Sequence, residues 1–169
     1  MSITVTRTYL QLSAPSDLSR DGISSTGAAE VTRRIPVAPA LFRQLYEQVG
    51  GAYRWRDRDV WTDDEIVDRF AGDRVSLWEL TLGGVRAGFY ELECHDDGSV
   101  EIVLFGLLPR FAGQGLGRWL LVDAVDRAWS LGASRVWLHT CTLDSAAALP
   151  NYLSRGFKPF RTEQYQVAG

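Results

Sequence analysis

Three glycines at alternate positions, Gly113, Gly115 and Gly117, lie where a predicted strand is followed by a predicted helix. Glycine has no Cβ, so the backbone of such a loop can adopt positive φ and approach a ligand closely. The helix that follows offers unpaired N–H groups and the positive end of its dipole, and both favour phosphate groups. The spacing therefore predicts an anion-binding loop. A tight turn that needs glycine only for steric reasons is the alternative.

The same loop departs from two common nucleotide-binding motifs. The dinucleotide fingerprint G-x-G-x-x-G fails because Arg118 stands where the third glycine belongs. The P-loop fails as well, since no Gly-Lys-Ser or Gly-Lys-Thr follows at the required distance. The spacing G-x-G-x-G after a strand and a proline indicates a different kind of ligand.

Acidic residues in two predicted apolar strands are the candidates for proton transfer. Glu101 lies near the start of the segment 100–108, and Glu91 lies in the strand before it. If Glu91 faces Glu101 across the intervening turn, the pair would raise one carboxyl pKa towards neutrality and could hold a cationic amine. Solvated carboxylates on an exposed strand face are the alternative.

A segment dense in aromatic and basic residues follows the first predicted helix. Trp55 and Trp61 could form the wall of a substrate pocket, and Arg54, Arg56 or Arg58 could bind an acidic group there. Aromatic side chains that cover the sheet beside a solvated charged loop explain the composition equally well.

His139 and the two cysteines of the chain are interpreted as structural. His139 shares one face of a predicted strand with Trp137, and we interpret it as a histidine hydrogen-bonded within the core, with a catalytic role as the alternative. Cys94 and Cys141 have no neighbour that would activate a thiol and are interpreted as small buried residues. Neither cysteine has a CxxC partner, and no metal is expected.

Hydrophobic periodicity predicts the elements that position these residues. The predicted strands begin at Ile3 and at Phe157 and cover 75–82, 85–94, 100–108 and 135–141. The predicted helices cover 39–49 and 116–131, follow the capping box of Thr62 and Glu65, and end at Arg155. The order β-α-α-β-β-β-α-β-α-β predicts a mixed α/β domain in which strand 135–141 is parallel to strand 100–108.

Length and composition restrict the partners. The chain of 169 residues suits a single domain, 1–169, with 21 acidic and 18 basic side chains. This acidic balance argues against nucleic acid, and no apolar run approaches the roughly 20 residues of a membrane helix. The N-terminus lacks the apolar region of a signal peptide, so a cytoplasmic location is expected. Residues 13–30 are polar and predict a loop or a partly mobile segment.

Two segments resemble the GNAT superfamily, the acetyl-CoA-dependent N-acetyltransferases. LLPRFAGQGLGRWLL is similar to the family's acyl-CoA signature of strand, proline, glycine loop and helix. Further along the chain, NYLSRGF resembles the family's tyrosine followed four residues later by Gly-Phe. The resemblance covers nearly the whole chain. It implies a central mixed, mostly antiparallel sheet flanked by helices, and acetyl-CoA as the co-substrate in a splay between strands 100–108 and 135–141.

The resemblance also assigns roles to individual residues. Tyr152 resembles the family's general acid, whose hydroxyl lies near the CoA sulfur. Glu101 resembles the strand glutamate that serves some members as general base, and Glu91 remains the second candidate from the strand pairing considered above. The cofactor-binding residues implied are Leu107 and Leu108 for the pantetheine, Gly113, Gln114, Gly115, Leu116, Gly117 and Arg118 for the pyrophosphate, and Ser145, where the family frequently has asparagine.

Two positions depart from the family pattern. Ala112 precedes the first glycine, where the family usually has Arg or Gln, so the cofactor would rely more on backbone N–H groups. Pro150 lies inside the last predicted helix, which predicts a kink or a late helix start.

These observations predict an N-acetyltransferase that moves the acetyl group of acetyl-CoA directly to the amine of a small molecule. No metal and no covalent enzyme intermediate are expected, and a homodimer is compatible with the sequence. Two alternatives stay open, namely a non-catalytic acyl-CoA-binding sensor and an interaction module whose glycines are only structural.

Overall fold

The computed structural model describes residues 1–24 and 27–169. Its strands are β1 (Ser2–Leu12), β2 (Ala29–Arg33), β3 (Val75–Leu82), β4 (Val85–Cys94), β5 (Val100–Leu107), β6 (Val136–Cys141) and β7 (Lys158–Ala168). Its helices are α1 (Pro39–Gly50), α2 (Asp63–Phe70), α3 (Leu116–Ser130) and α4 (Ala148–Ser154). The mixed α/β fold predicted from the sequence is confirmed. None of the helices in the described ranges is both long and apolar enough to cross a membrane.

The strands form one sheet in the order β2-β3-β4-β5-β6-β1-β7. Every neighbouring pair is antiparallel except β5 and β6, which are parallel as expected for two strands joined by a helix. The first strand of the chain lies between β6 and the last strand, β7. The two ends of the chain therefore pair with each other, and β7 forms the edge of the sheet opposite β2.

The predicted loop over residues 13–30 is only partly correct. Ala29 and Glu30 begin β2, which pairs with β3 and forms one edge of the sheet. The sequence did not reveal this strand because it spans five residues and has one large apolar side chain, Val31. Pro15–Asp17 forms a short 3-10 turn, and residues 25 and 26 of the predicted segment lie outside the described residues.

A hydrophobic core lies on each face of the sheet. The core under α1 and α2 contains Phe42, Leu45, Val49, Ile66, Leu77 and Phe89. The larger core, under α3 and α4, contains among others Leu92, Ile102, Leu120, Leu121, Val125, Leu138 and Phe157. Each fully buried side chain of this kind contributes about 1.5–3 kcal/mol. Packing in these two cores holds the helices against the strands that carry the site.

Local sequence signals explain where two helices begin. The side chain of Thr62 accepts a hydrogen bond from the backbone N–H of Glu65 at 3.2 Å, and the Glu65 carboxylate accepts one from the N–H of Thr62 at 3.1 Å. This capping box opens α2 as predicted. Pro150 lies in the first turn of α4, where its missing N–H has no helical partner to lose. The late helix start expected from Pro150 is confirmed.

The register between β4 and β5 differs from the one considered in the sequence analysis. Glu91 is paired with Leu104, and the residue opposite Glu101 is Glu93. The register shifts between Glu91 and Leu92, and such an irregularity cannot be read from alternation alone. The pairing of Glu91 with Glu101 is therefore wrong, and a different carboxylate pair faces across the turn.

The parallel strands β5 and β6 separate soon after they meet. Their pairing is limited to Val100 with Val136 and Glu101 with Trp137, although β5 continues to Leu107 and β6 to Cys141. Beyond these pairs the facing edges of the two strands move apart. The predicted splay is present, and it opens a cavity in the middle of the sheet.

Candidate active site

The splay between β5 and β6 forms a cavity of about 780 Å³. Its walls come from β5, β6, the glycine loop, α4 and the segment after α1. Of the residues predicted to bind cofactor, acceptor or reacting groups, these line the cavity: Trp55, Leu107, Gly113, Gly115, Gly117, Arg118, Ser145 and Tyr152. The fold thus brings together residues that are separated by almost a hundred positions in the chain.

The glycine loop has the backbone conformation that its sequence predicts. Gly113 has φ of 78° and Gly115 has φ of 79°, a region in which a Cβ is strained. Gly115 is the N-cap of α3, so the free N–H groups of the first helical turn lie at the cavity. The side chain of Leu116 is buried in the larger core, and Gln114 donates a hydrogen bond to the carbonyl of Arg110 at 3.3 Å. Neither of these two side chains lines the cavity, so only the backbone of Gln114 and Leu116 is available to a ligand there.

Two arginines meet beside this loop. Arg155 is 4% exposed, and both its burial and the nearby guanidinium of Arg118 lower its pKa. One Arg155 guanidinium N–H donates to the carbonyl of Ser19 at 3.2 Å, whereas its Nε is buried without a hydrogen-bond partner among the described residues. Among the described residues neither guanidinium forms a salt bridge, although the charge of Asp21 partly offsets that of Arg155, so the two neighbouring cations indicate a place for an anion. The sequence analysis missed Arg155, although it directly precedes the Gly-Phe pair.

Asn151 adds a further open group at the same end of the cavity. Its amide nitrogen donates to the carbonyl of Gly117 at 3.3 Å, which ties α4 to the first turn of α3. Its Oδ1 is buried and has no partner in the described part of the chain. A buried polar atom without a partner costs about 1–3 kcal/mol, so such an atom at a cavity wall points to a ligand or water.

Tyr152 lies deeper in the cavity, on α4. Its ring packs edge-on against Phe105 at 6.3 Å and against Phe157 at 6.0 Å between centroids. Burial, and after it the charge of Asp144, raises the pKa of the Tyr152 hydroxyl well above its usual range. The hydroxyl therefore stays protonated at neutral pH and can act as a hydrogen-bond donor.

The wall formed by β6 carries His139, which the sequence analysis had interpreted as a core residue. His139 lines the cavity and lies 5.4 Å from the ring of Tyr9 between centroids. Burial, and to a lesser degree the charge of Arg7, lowers the pKa of His139. A neutral imidazole at neutral pH can accept a proton. Period-two alternation placed His139 on the correct strand face, but it could not show that this face borders a cavity.

The end of the cavity towards α1 is aromatic. Trp55 packs against Tyr46 and Phe89 in the smaller core, and a Cβ on Gly50 would clash with the indole of Trp55. Glycine at position 50 thus permits the turn that brings Trp55 to the cavity. Arg54, with φ of 60°, also lines it, and such a value is uncommon outside glycine.

Two predicted contact residues lie elsewhere. Trp61 stacks under the guanidinium of Arg58 at 4.6 Å and borders a separate small depression with Glu65, Asp68 and Arg69. Trp61 does not line the cavity, so its expected place in the acceptor pocket stays a prediction that this geometry does not favour. The backbone N–H of Leu108 donates to the carbonyl of Ala87 at 2.8 Å, and Leu108 packs against the smaller core rather than lining the cavity.

The predicted carboxylates do not line the cavity. Glu91 is fully buried and accepts hydrogen bonds from Arg58 at 2.9 Å and from Arg69 at 2.8 Å. The Glu101 carboxylate is hydrogen-bonded to Nε2 of His95 at 2.9 Å, and burial is the main cause of its raised pKa. The role of Glu101 or Glu91 as a base stays a prediction, and this geometry does not favour it.

Comparisons with known proteins agree with this architecture. The family model described as the acetyltransferase (GNAT) family matches residues 40–157. The mycothiol acetyltransferase of Mycobacteroides abscessus is 29% identical over 137 residues, which are 76% of this chain but 46% of that protein. The chain therefore aligns with less than half of this relative's length.

A second relative and a solved structure are also described as N-acetyltransferases. The [ribosomal protein bS18]-alanine N-acetyltransferase of Escherichia coli is 30% identical over 113 residues, covering 66% of this chain and 69% of that protein. The structure of a GCN5-related N-acetyltransferase from Kribbella flavida superposes with a TM-score of 0.65 at 18% identity, covering 98% of this chain and 58% of the other. The match of the family model over well over half of the sequence establishes that the chain belongs to the GNAT family of acetyltransferases.

Proposed function

We propose that this chain is an N-acetyltransferase that transfers the acetyl group of acetyl-CoA directly to the amine of a small molecule. The observation that supports this most strongly is one cavity lined by the glycine loop, the pair Arg118 and Arg155, and Tyr152. A loop, a cationic pair and a proton donor in one continuous space suit an extended ligand that carries phosphate at one end and a thioester at the other.

The residues around the loop fit the phosphate end of that ligand. The backbone N–H groups of residues 113–118 and the guanidinium groups of Arg118 and Arg155 would bind the pyrophosphate. The open Oδ1 of Asn151 and the exposed edge of β5 near Leu107 would bind the amides of the pantetheine. When bound, acetyl-CoA supplies the activated acetyl group as a thioester.

The reaction follows from the groups deeper in the cavity. The amine nitrogen attacks the thioester carbonyl carbon, a C–N bond forms, and the C–S bond breaks. His139 accepts the proton that the amine loses, because its lowered pKa keeps the imidazole neutral. The Tyr152 hydroxyl donates to the departing sulfur, so that the thiol leaves without a full negative charge. No side chain is acylated on this route.

The aromatic end of the cavity suits a small acceptor. Tyr46, Tyr53 and Trp55 offer flat apolar surfaces, while Asp57 and Arg54 offer one charge of each sign. An amine whose carbon skeleton stacks on these rings would reach the thioester from the side of α1. The cytoplasmic location and the homodimer stay predictions from the sequence.

Release of free thiol from acetyl-CoA tests the proposal. The purified chain is incubated with acetyl-CoA and a panel of small amines, with a peptide that begins with alanine included for comparison. Turnover with at least one small amine is expected, and Tyr152→Phe serves as the variant. Turnover only with the peptide would overturn the small-molecule acceptor. Binding of CoA without turnover on any amine would favour a sensor, and no binding would favour an interaction module.

A further inference from the structure

Three possible metal ligands, Glu93, His95 and Glu101, meet at the end of the sheet where β4 passes into β5. One ligand atom from each side chain lies within 4.8 Å of the ligand atoms of the other two. β5 runs from this point towards the glycine loop, so the cluster stands apart from the cavity in the splay. None of the three residues lines that cavity.

The backbone around the cluster is firmly held. Glu93 and Glu101 are cross-strand partners, and the turn between their strands brings His95 back over them. The N–H of His95 donates to the carbonyl of Ser99 at 2.9 Å, and the N–H of Gly98 donates to the carbonyl of His95 at 3.0 Å. The arrangement of the three side chains is therefore imposed by the hairpin rather than by a mobile loop.

The two carboxylates of the cluster carry negative charge that a bound cation would neutralise. Two carboxylates that face each other directly across strands repel one another. Arg69 donates to Oε1 of Glu93 at 2.8 Å but shares the same nitrogen with Glu91. Glu101 is 8% exposed, and the one side chain hydrogen-bonded to it within the described residues is His95.

The imidazole lies between the two carboxylates. Its Nε2 is 2.9 Å from Oε1 of Glu101, and its Nδ1 is 3.9 Å from Oε2 of Glu93. The ring also packs against Trp137 of β6 at 5.5 Å between centroids. The side chain of His95 is 31% exposed, so it can shift enough for one nitrogen and two carboxylate oxygens to converge on a single point.

We propose that Glu93, His95 and Glu101 form a binding site for a divalent transition-metal ion of the zinc class, with water in the remaining position. One imidazole nitrogen with two carboxylate oxygens suits Zn²⁺, whereas Mg²⁺ prefers oxygen ligands alone in an octahedron. The ion would join the ends of β4 and β5 next to β6, where the parallel pair begins to separate. It would take no part in acyl transfer, so the site is independent of the proposed function and departs from the expectation of no metal.

The chain has two histidines, His95 and His139, which makes a nuclear magnetic resonance test direct. The full chain, treated with a chelator and dialysed, is titrated with ZnCl₂ while the imidazole nitrogen signals are recorded. The His139→Gln variant assigns the signals. The nitrogen signals of His95 are expected to move and to saturate at one Zn²⁺ per chain, while those of His139 stay unchanged. Unmoved His95 signals, or movement of His139 alone, would overturn the proposal.

Calorimetry with Zn²⁺ provides a second measurement. His95→Gln and Glu101→Gln are each expected to weaken Zn²⁺ binding by about tenfold or more. Asp96→Asn removes an acidic group from the same turn without touching the cluster, and it is expected to bind Zn²⁺ as the unsubstituted chain does. Equal affinities in all four proteins would contradict the site. If one variant fails to fold by circular dichroism, the other variant and the histidine signals still decide the outcome.

Discussion

Two polar regions of the same sheet differ in how their buried groups are satisfied. In β4, the Glu91 carboxylate accepts hydrogen bonds from Arg58 and from Arg69. At the splay, the guanidinium groups of Arg118 and Arg155 lie near each other, and the latter's Nε is a buried donor without a partner among the described residues. In the first region, which we call closed, the buried charge is paired with side chains of the protein. In the second, which we call open, a buried donor has no partner among the described residues.

This difference separates groups that serve folding from groups that serve a ligand. A buried charge is tolerated when it is paired, as Glu91 is. An open buried group costs free energy in the free protein and regains it when a ligand binds. Glu91 was a candidate for proton transfer because it is an acidic residue in an apolar strand. Its hydrogen bonds to Arg58 and Arg69 indicate instead that Glu91 stabilises the fold.

Breaking the closed region is expected to destabilise the protein most. Glu91→Ala removes a fully buried carboxylate and leaves the partly buried Arg58 and Arg69 without their common partner, and such a loss costs about 3–5 kcal/mol of unfolding free energy. Denaturant unfolding followed by fluorescence measures the change. Asp126→Ala, which breaks an exposed bidentate pair with Arg20, is the matched control and is expected to cost less than about 1 kcal/mol. Equal losses in the two variants would contradict the contrast.

Removing the proton donor of the open region is expected to change turnover rather than stability. Tyr152→Phe deletes one hydroxyl and keeps the packing against Phe105 and Phe157, so kcat is expected to fall about 100-fold. Steady-state thiol release gives kcat, and calorimetry with CoA is expected to give nearly the same affinity as the original chain. Unchanged turnover would remove Tyr152 from the reaction.

The cationic pair is expected to determine affinity. Arg155→Gln removes one charge from the phosphate end, and CoA is expected to bind about 10–100-fold more weakly because a hydrogen bond to a charged group contributes about 1.5–3 kcal/mol. Arg110→Gln, at an exposed arginine that stacks on Phe111 outside the cavity, is the matched control with expected unchanged affinity. Calorimetry measures both, and an equal loss in both would indicate that only net charge matters.

Two glycines of the loop are expected to respond differently to alanine. Gly115→Ala forces a Cβ into a φ of 79° and is expected to cost about 1–2 kcal/mol of stability. Gly117 belongs to α3 and has room for a Cβ, 3.6 Å from Leu107, so Gly117→Ala is expected to leave stability unchanged or to raise it. Thermal unfolding compares the two, and the opposite order would contradict the assigned backbone conformation.

The pH profile is expected to show the smallest effect. The neutral form of His139 accepts the proton, and burial lowers its pKa, so turnover is expected to hold down to a pH below the ordinary histidine value of about 6.5 and then to fall. Initial rates across pH measure the profile, and His139→Gln is expected to lose this acidic limb. A limb that survives in His139→Gln would assign the base to another group.

The glycine loop and the meander were predictable because each rests on local sequence, whereas Tyr152 was singled out only by the resemblance to the GNAT family. A strand or helix can be identified without knowledge of its partners from glycines at its ends, from period-two alternation and from a helical stripe of apolar residues. Ala29–Arg33 was missed because this short edge strand has little apolar signal. The pairing of Glu93 with Glu101, the position of His139 at a cavity and the nearness of Arg155 to Arg118 all depend on tertiary register, which the sequence does not display.

The most direct test of the account is a crystal structure of the chain with CoA. CoA is expected to lie in the splay between β5 and β6. Its pyrophosphate would accept hydrogen bonds from the backbone N–H groups of residues 113–118 and from Arg155, and its sulfur would lie next to the Tyr152 hydroxyl. CoA bound outside the splay, or a sulfur remote from Tyr152, would contradict it.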